Sequence, residues 1–99
     1  MFNCVKMANM KVPRHGHAAC SFMGKYIIVS GTRKEVDSSP CSVELFDTEV
    51  DSWLDLPMMK EGRHYHASCE FSSEWLYVFA GISNIQKRYS SSIERLNVK

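Results

Sequence analysis

The chain contains no run of about 18 apolar residues, so no segment is long enough to cross a bilayer as a helix. Neither sign of charge is in excess: 12 Lys and Arg stand against 11 Asp and Glu, for a formal net charge of +1. That balance removes any general electrostatic pull toward nucleic acid or an acidic membrane. Glycine is scarce, at 5 of 99 residues, and no Gly-rich phosphate loop occurs. The opening MFNCVKMANM lacks a basic segment followed by an apolar one, so it does not read as a signal peptide. No Asn-x-Ser/Thr acceptor is present. No stretch carries an apolar period of 3.6 over three turns, which predicts little or no helix.

What is present is ordinary in amount and repetitive in order. Hydrophobic residues make up 44% and charged residues 23%, a composition that supports one folded domain. Four cysteines, Cys4, Cys20, Cys41 and Cys69, read as free thiols in a reducing compartment, and the expected location is cytoplasmic. Two of them close near-identical stretches, RHGHAAC from Arg14 to Cys20 and RHYHASC from Arg63 to Cys69. Arg14, His15, His17, Ala18, Cys20 and Phe22 recur at a shift of 49 residues. Placing a one-residue insertion near SSEW makes the shift 50, which matches Gly31 with Gly81 and SVE (Ser42–Glu44) with SIE (Ser92–Glu94). At the shift of 49, CVKMANMKVPR (Cys4–Arg14) falls on WLDLPMMKEGR (Trp53–Arg63). Internal repetition of this kind marks a modular architecture.

Within one repeat the apolar residues form short runs with a period of two. HAACSF, KYIIVSG, SVELFD and SWLDLP read as strands separated by turn residues. The expected strands are 17–22, 25–30, 42–47 and 52–56 in one unit, then 66–71, 75–80 and 92–97 in the next, with a strand remnant at about 3–8. Four short strands repeating at about 50 residues describe a propeller blade.

The His and Cys residues invite a metal reading, which the strand geometry opposes. Zinc takes about four ligands in a tetrahedron. Side chains of a strand alternate between its faces. His15 and His17 therefore share one face while Cys20 lies on the other. No nucleophile elbow or comparable catalytic arrangement occurs. The expectation is no metal, no cofactor and no enzymatic activity of the chain itself.

Pro13-Arg14-x-x-His17, KYIIVSG, SVELFDTEVDSW, LPMM, Arg63-x-x-His66, WLYVFAG and SSIERLN together resemble the kelch repeat family over nearly the whole chain. Ser30-Gly31 and Ala80-Gly81 stand where that family usually has Gly-Gly. The resemblance implies an all-β fold built of kelch-type β-propeller blades of four antiparallel strands, with about two blades, a partial propeller. Residues 1–10 would end a preceding blade, 11–59 form a complete repeat and 60–99 an incomplete one. Two blades cannot close a ring, so the chain is expected to be a fragment of a longer protein, or to form a homo-oligomer if it is complete.

The resemblance also implies a protein–protein interaction module. In such propellers the loops after the second strand and before the first emerge on one face. They would bring Arg14, His15, Arg33, Lys34, Arg63, His64, Tyr65, Lys87, Arg88 and Tyr89 to one surface, locally basic and suited to a peptide or protein loop. The parent would be an adaptor such as a BTB-kelch substrate receptor of a cullin ubiquitin ligase, or a cytoskeletal scaffold. A fragment of a propeller enzyme and a self-assembling short kelch scaffold are the alternative readings.

Overall fold

The computed structural model describes residues 2–33 and 39–98. Among the described residues nine strands follow in order: β1 Ala18–Phe22, β2 Tyr26–Ser30, β3 Val43–Asp47, β4 Ser52–Leu56, β5 Arg63–His64, β6 Ala67–Phe71, β7 Trp75–Phe79, β8 Ile82–Ser83 and β9 Ile93–Asn97. A 3-10 turn, Ser39–Cys41, precedes β3. Among the described residues there is no α-helix, so none is long and apolar enough to cross a membrane. The fold is all-β with antiparallel sheets, and seven of the eight expected strands appear within a residue or so of their predicted ends.

Three sheets form. The first has the meander order β1-β2-β3-β4, the second β6-β7-β9, and β5 pairs with β8 in a short ribbon. The β-branched and aromatic runs YIIVS and WLYVF occupy the middle strands β2 and β7, where such residues suit a pleated surface packed on its neighbours. Each is reached by a tight three-residue turn. Met23 and Gly24 take φ of 56° and 66°, and Ser72 and Ser73 take 57° and 52°.

The two turns are equally long, which corrects the sequence alignment. Ala18 faces Ser30 in the first sheet and Ala67 faces Phe79 in the second, so the shift of 49 persists through β7. The extra residue lies between β7 and β9 rather than in SSEW. Gly31 therefore corresponds to Ala80, and Thr32 to Gly81. Both Gly31 and Ala80 have positive φ, 71° and 57°.

One expected strand is absent. Residues 2–9 are exposed and belong to no strand. A strand needs a hydrogen-bonding neighbour, and β3, the partner of the homologous β4, already pairs on both edges. The segment just beyond turns onto the first sheet instead. Trp53 Nε1 donates to Ala8 O at 2.9 Å, and Ala8 N donates to Asp51 Oδ1 at 2.8 Å.

The apolar core lies between the first and second sheets. Phe22, Ile28, Val43 and Leu45 from the first meet Leu76 and Val78 from the second, with Met59 closing one side. β1 and β6, which begin the two units, pack side by side. Removing side chains of this size from water stabilises by about 2 kcal/mol each. Cys20 and Tyr26 pack at the margin of the cluster. Burial pushes the Cys20 thiol above its ordinary pKa, which suits an inert packing role. All four cysteines are free.

Candidate functional site

Two buried arginines define the end of the sheets from which the loops emerge. Arg14 Nη1 donates to Gly31 O at 2.8 Å and to Ser42 O at 3.2 Å, and its Nη2 donates to Glu44 Oε2 at 2.8 Å. Arg63 repeats the pattern. Its Nη1 donates to Ala80 O and Ser92 O at 3.0 and 3.1 Å, and its Nη2 to Glu94 Oε2 at 2.9 Å. The carboxylates also repeat. Glu44 accepts from Lys11 N and Val12 N, and Glu94 from Lys60 N and Glu61 N. Each arginine thus fastens the end of one strand, the start of the next and the incoming chain in a single node.

This arrangement takes Arg14 and Arg63 out of the expected binding surface. Both guanidinium side chains are fully enclosed. A buried guanidinium is tolerable only when charge and hydrogen bonds compensate it, and here carbonyls and a carboxylate do so. His64 is also interior. It is buried, and its Nδ1 shares a 3.1 Å hydrogen bond with Asn84 Oδ1. Lys34 lies outside the described residues.

The remaining six residues are exposed and fall on connected loops. Arg33 N donates to His15 O at 2.9 Å, and Tyr65 N donates to Gly16 O at 2.6 Å. These bonds set His15, Arg33 and Tyr65 around one backbone junction. A Cβ on Gly16, which has φ of 67°, would come within 3.1 Å of the Tyr65 ring. The loop after β8 carries the other three. Ser83 N donates to Arg88 O, Ser90 N donates to Gly81 O, and Tyr89 bridges Ile82. Ile82, Lys87, Arg88 and Tyr89 line a shallow depression. Because β8 pairs with β5, and β5 runs directly into Tyr65, the two loop groups share one support.

Asn84 joins the groups across the units. Its Nδ2 donates to Thr32 O at 3.2 Å and Arg33 O at 3.4 Å, while its own N–H donates to Gly62 O. Glu61 sits beside this loop and accepts from Ser90 Oγ and Ser92 Oγ, both at 2.8 Å. The Ser90 hydrogen bond, opposed by partial burial and aided by Ser92 and the Arg63 charge, holds the Glu61 carboxyl below its usual range.

The histidines of the repeat have different fates. His66 is buried, and its Nε2 shares a 2.9 Å hydrogen bond with Ser30 Oγ in the other unit. Burial, reinforced by the Arg63 charge, pushes His66 down to about 4. His15 and His17 are exposed. Among the described residues no three His, Cys, Asp or Glu side chains converge as metal ligands.

No family model matches the chain, and no curated protein matches it. Its functional reading therefore depends on the geometry above. Sequence reasoning missed Glu44, Glu94 and Asn84. The SVE and SIE repetition was the available signal for the two glutamates, since a charge recurring inside a strand marks a bonded interior group. Asn84 has no repeat counterpart and gave no signal.

Proposed function

We propose that the chain is a segment of a kelch-type β-propeller that binds an extended peptide or loop of another protein through His15, Arg33, Tyr65, Lys87, Arg88 and Tyr89. The observation that carries the binding reading is the contrast between these side chains and their supports. Tyr65 and Tyr89 are among the most exposed large side chains, at 59% and 88%, yet their backbones are tied down. Exposed aromatics and cations on rigid loops suit recognition, because little side-chain and loop entropy is lost on binding. The propeller reading is supported by the repeated arginine–glutamate node and by the side-by-side β1 and β6 of two meanders. Three cations, Arg33, Lys87 and Arg88, favour a partner segment carrying carboxylates. In a parent adaptor of the BTB-kelch type, this face would hold the substrate of a cullin ubiquitin ligase.

Selection of peptides from a displayed random library on the immobilised chain tests the reading. Enriched peptides should carry Asp or Glu beside an aromatic or apolar residue. Combined Tyr65→Ala, Arg33→Ala and Arg88→Ala should weaken them by about 2 kcal/mol or more while leaving the β-sheet circular dichroism unchanged. Unchanged binding by this variant would remove the face from consideration.

A further inference from the structure

The second sheet carries an uncovered apolar face. Cys69, Phe71, Tyr77 and Phe79 line a depression on it, and Phe71 and Ile93 are 60% and 58% exposed. Phe71 meets Tyr77 edge-on at 6.1 Å, Tyr77 stacks on Phe79 at 6.1 Å, and Arg95 lies 3.8 Å over the Trp75 ring. Strand register gives this face its counterpart in the first unit. Phe71, Trp75, Tyr77 and Ile93 correspond to Phe22, Tyr26, Ile28 and Val43. In the first unit those residues are the side covered by Leu76 and Val78 of the second. The face that is core in one unit is bare in the other.

The complementary face exists in the same chain. Leu76 and Val78, which cover the first unit, correspond to Ile27 and Val29 on the opposite side of the first sheet, where Ile27 is 39% exposed. The sheet edge shows the same asymmetry. β3 pairs with both β2 and β4, whereas its counterpart β9 pairs with β7 alone among the described strands. The sequence that repeats β4 is 3–7, and Val5 and Met7 in it are exposed. An unpaired edge beside an aromatic face is a template for another chain.

We infer that a second copy of this chain docks head to tail on the second sheet. Residues 3–7 of the incoming copy add to β9 as a fourth strand. The Ile27 side of its first sheet then covers Phe71, Tyr77 and Phe79, continuing the interface that already joins the two units. The contact is heterologous, since different surfaces meet, so copies join into a ring or a chain rather than a two-fold dimer. This association uses none of the exposed loop residues and is independent of the peptide-binding reading.

Light scattering and sedimentation of the 99-residue chain test it. The wild type should form an oligomer whose mass rises with concentration. Phe71→Glu with Tyr77→Glu removes one surface, and Val5→Pro with Ile27→Glu removes the other. Each double variant should stay monomeric with unchanged β-sheet circular dichroism. Mixed in equal amounts they should form a heterodimer, because each retains the surface the other has lost. Arg33→Ala with Arg88→Ala should leave assembly unchanged. A wild type that stays monomeric at every concentration overturns the inference. So does a Val5→Pro, Ile27→Glu variant that still self-associates, or growth without limit that neither double variant reduces. Should Phe71→Glu with Tyr77→Glu unfold, Arg95→Glu alone, at an exposed site on the same face, must weaken assembly at least tenfold for the inference to stand.

Discussion

At the scale of the residue, the arginine–glutamate node is the chain's most repeated device, and its energetics follow from enclosure. Glu44 is 1% exposed and its partner Arg14 has a fully enclosed side chain. Arg14→Ala would leave a buried carboxylate with two backbone donors but no counter-charge, and should cost about 3–5 kcal/mol in urea unfolding. Arg14→Lys should recover little, because one ammonium cannot reproduce the fork that spans two carbonyls and a carboxylate. Glu94 is more open, at 20%, so Arg63→Ala should destabilise by less through that charge. His66 supplies a pH dependence. Its folded pKa, about 4, lies below the ordinary 6.5, so below 6.5 the unfolded chain binds a proton that the folded chain excludes. The stability associated with neutral His66 is therefore present above 6.5 and is lost as pH falls from 6.5 toward 4. The loss should be on the order of 2 kcal/mol after allowing for solvent screening, and His66→Gln should remove that part of the pH profile. Both arginines and both histidine pairs were visible in the sequence as a repeat. That the arginines face inward was not, since an arginine beside a loop has the same spelling whether it braces the fold or meets a partner.

At the scale of the element, the turns before and after β2 separate two kinds of glycine. Gly31 has φ of 71°, and a Cβ there would lie 2.3 Å from Arg63 O and 2.6 Å from His66 Cε1. Gly24 has φ of 66° with nothing within 4 Å of a Cβ. Gly24→Ala should cost only the left-handed backbone term, roughly 1–2 kcal/mol, while Gly31→Ala should cost clearly more, roughly 3 kcal/mol or above, because backbone must move. Chemical denaturation of the two variants side by side reads the difference. Ala80 occupies the place of Gly31 in the second unit at φ of 57°, so Ala80→Gly should be neutral or stabilising by up to about 1 kcal/mol. Strand positions were legible because a period of two and Gly or polar turns survive in each copy. The point of insertion was not legible. MGK and SSE offer no residue that fixes the alignment, and only the pairing of Phe22 with Tyr26 and of Phe71 with Trp75 shows the turns to be equal.

At the scale of the whole molecule, the two sheets share one core, so they should unfold together. Trp53 lies in the first sheet and Trp75 in the second, which lets each be followed separately. Trp53→Phe and Trp75→Phe variants should give coincident fluorescence transitions once corrected for their own stability. Leu76→Ala should shift both by about 3 kcal/mol, because Leu76 is 2% exposed and packs against the first sheet. Separate midpoints would show that the sheets are independent and that the core between them is weak. If copies dock as inferred, the midpoint should also rise with protein concentration.

The sequence alone determined that this chain is built of strands, where seven of them lie, and that two units repeat. Those properties are local or periodic: side-chain shape, a period of two, and the recurrence of Arg, His, Ser and Glu at fixed spacing. Tertiary structure decided which of these residues face solvent. Arg14 and Arg63 went inside because carbonyls and a carboxylate from separate strands converge on each, and His64 because Asn84 from a later loop meets its ring; such meetings have no signature in any one stretch. It also decided that the same aromatic face is core in one unit and surface in the other, because coverage depends on a neighbour rather than on the residues that need it.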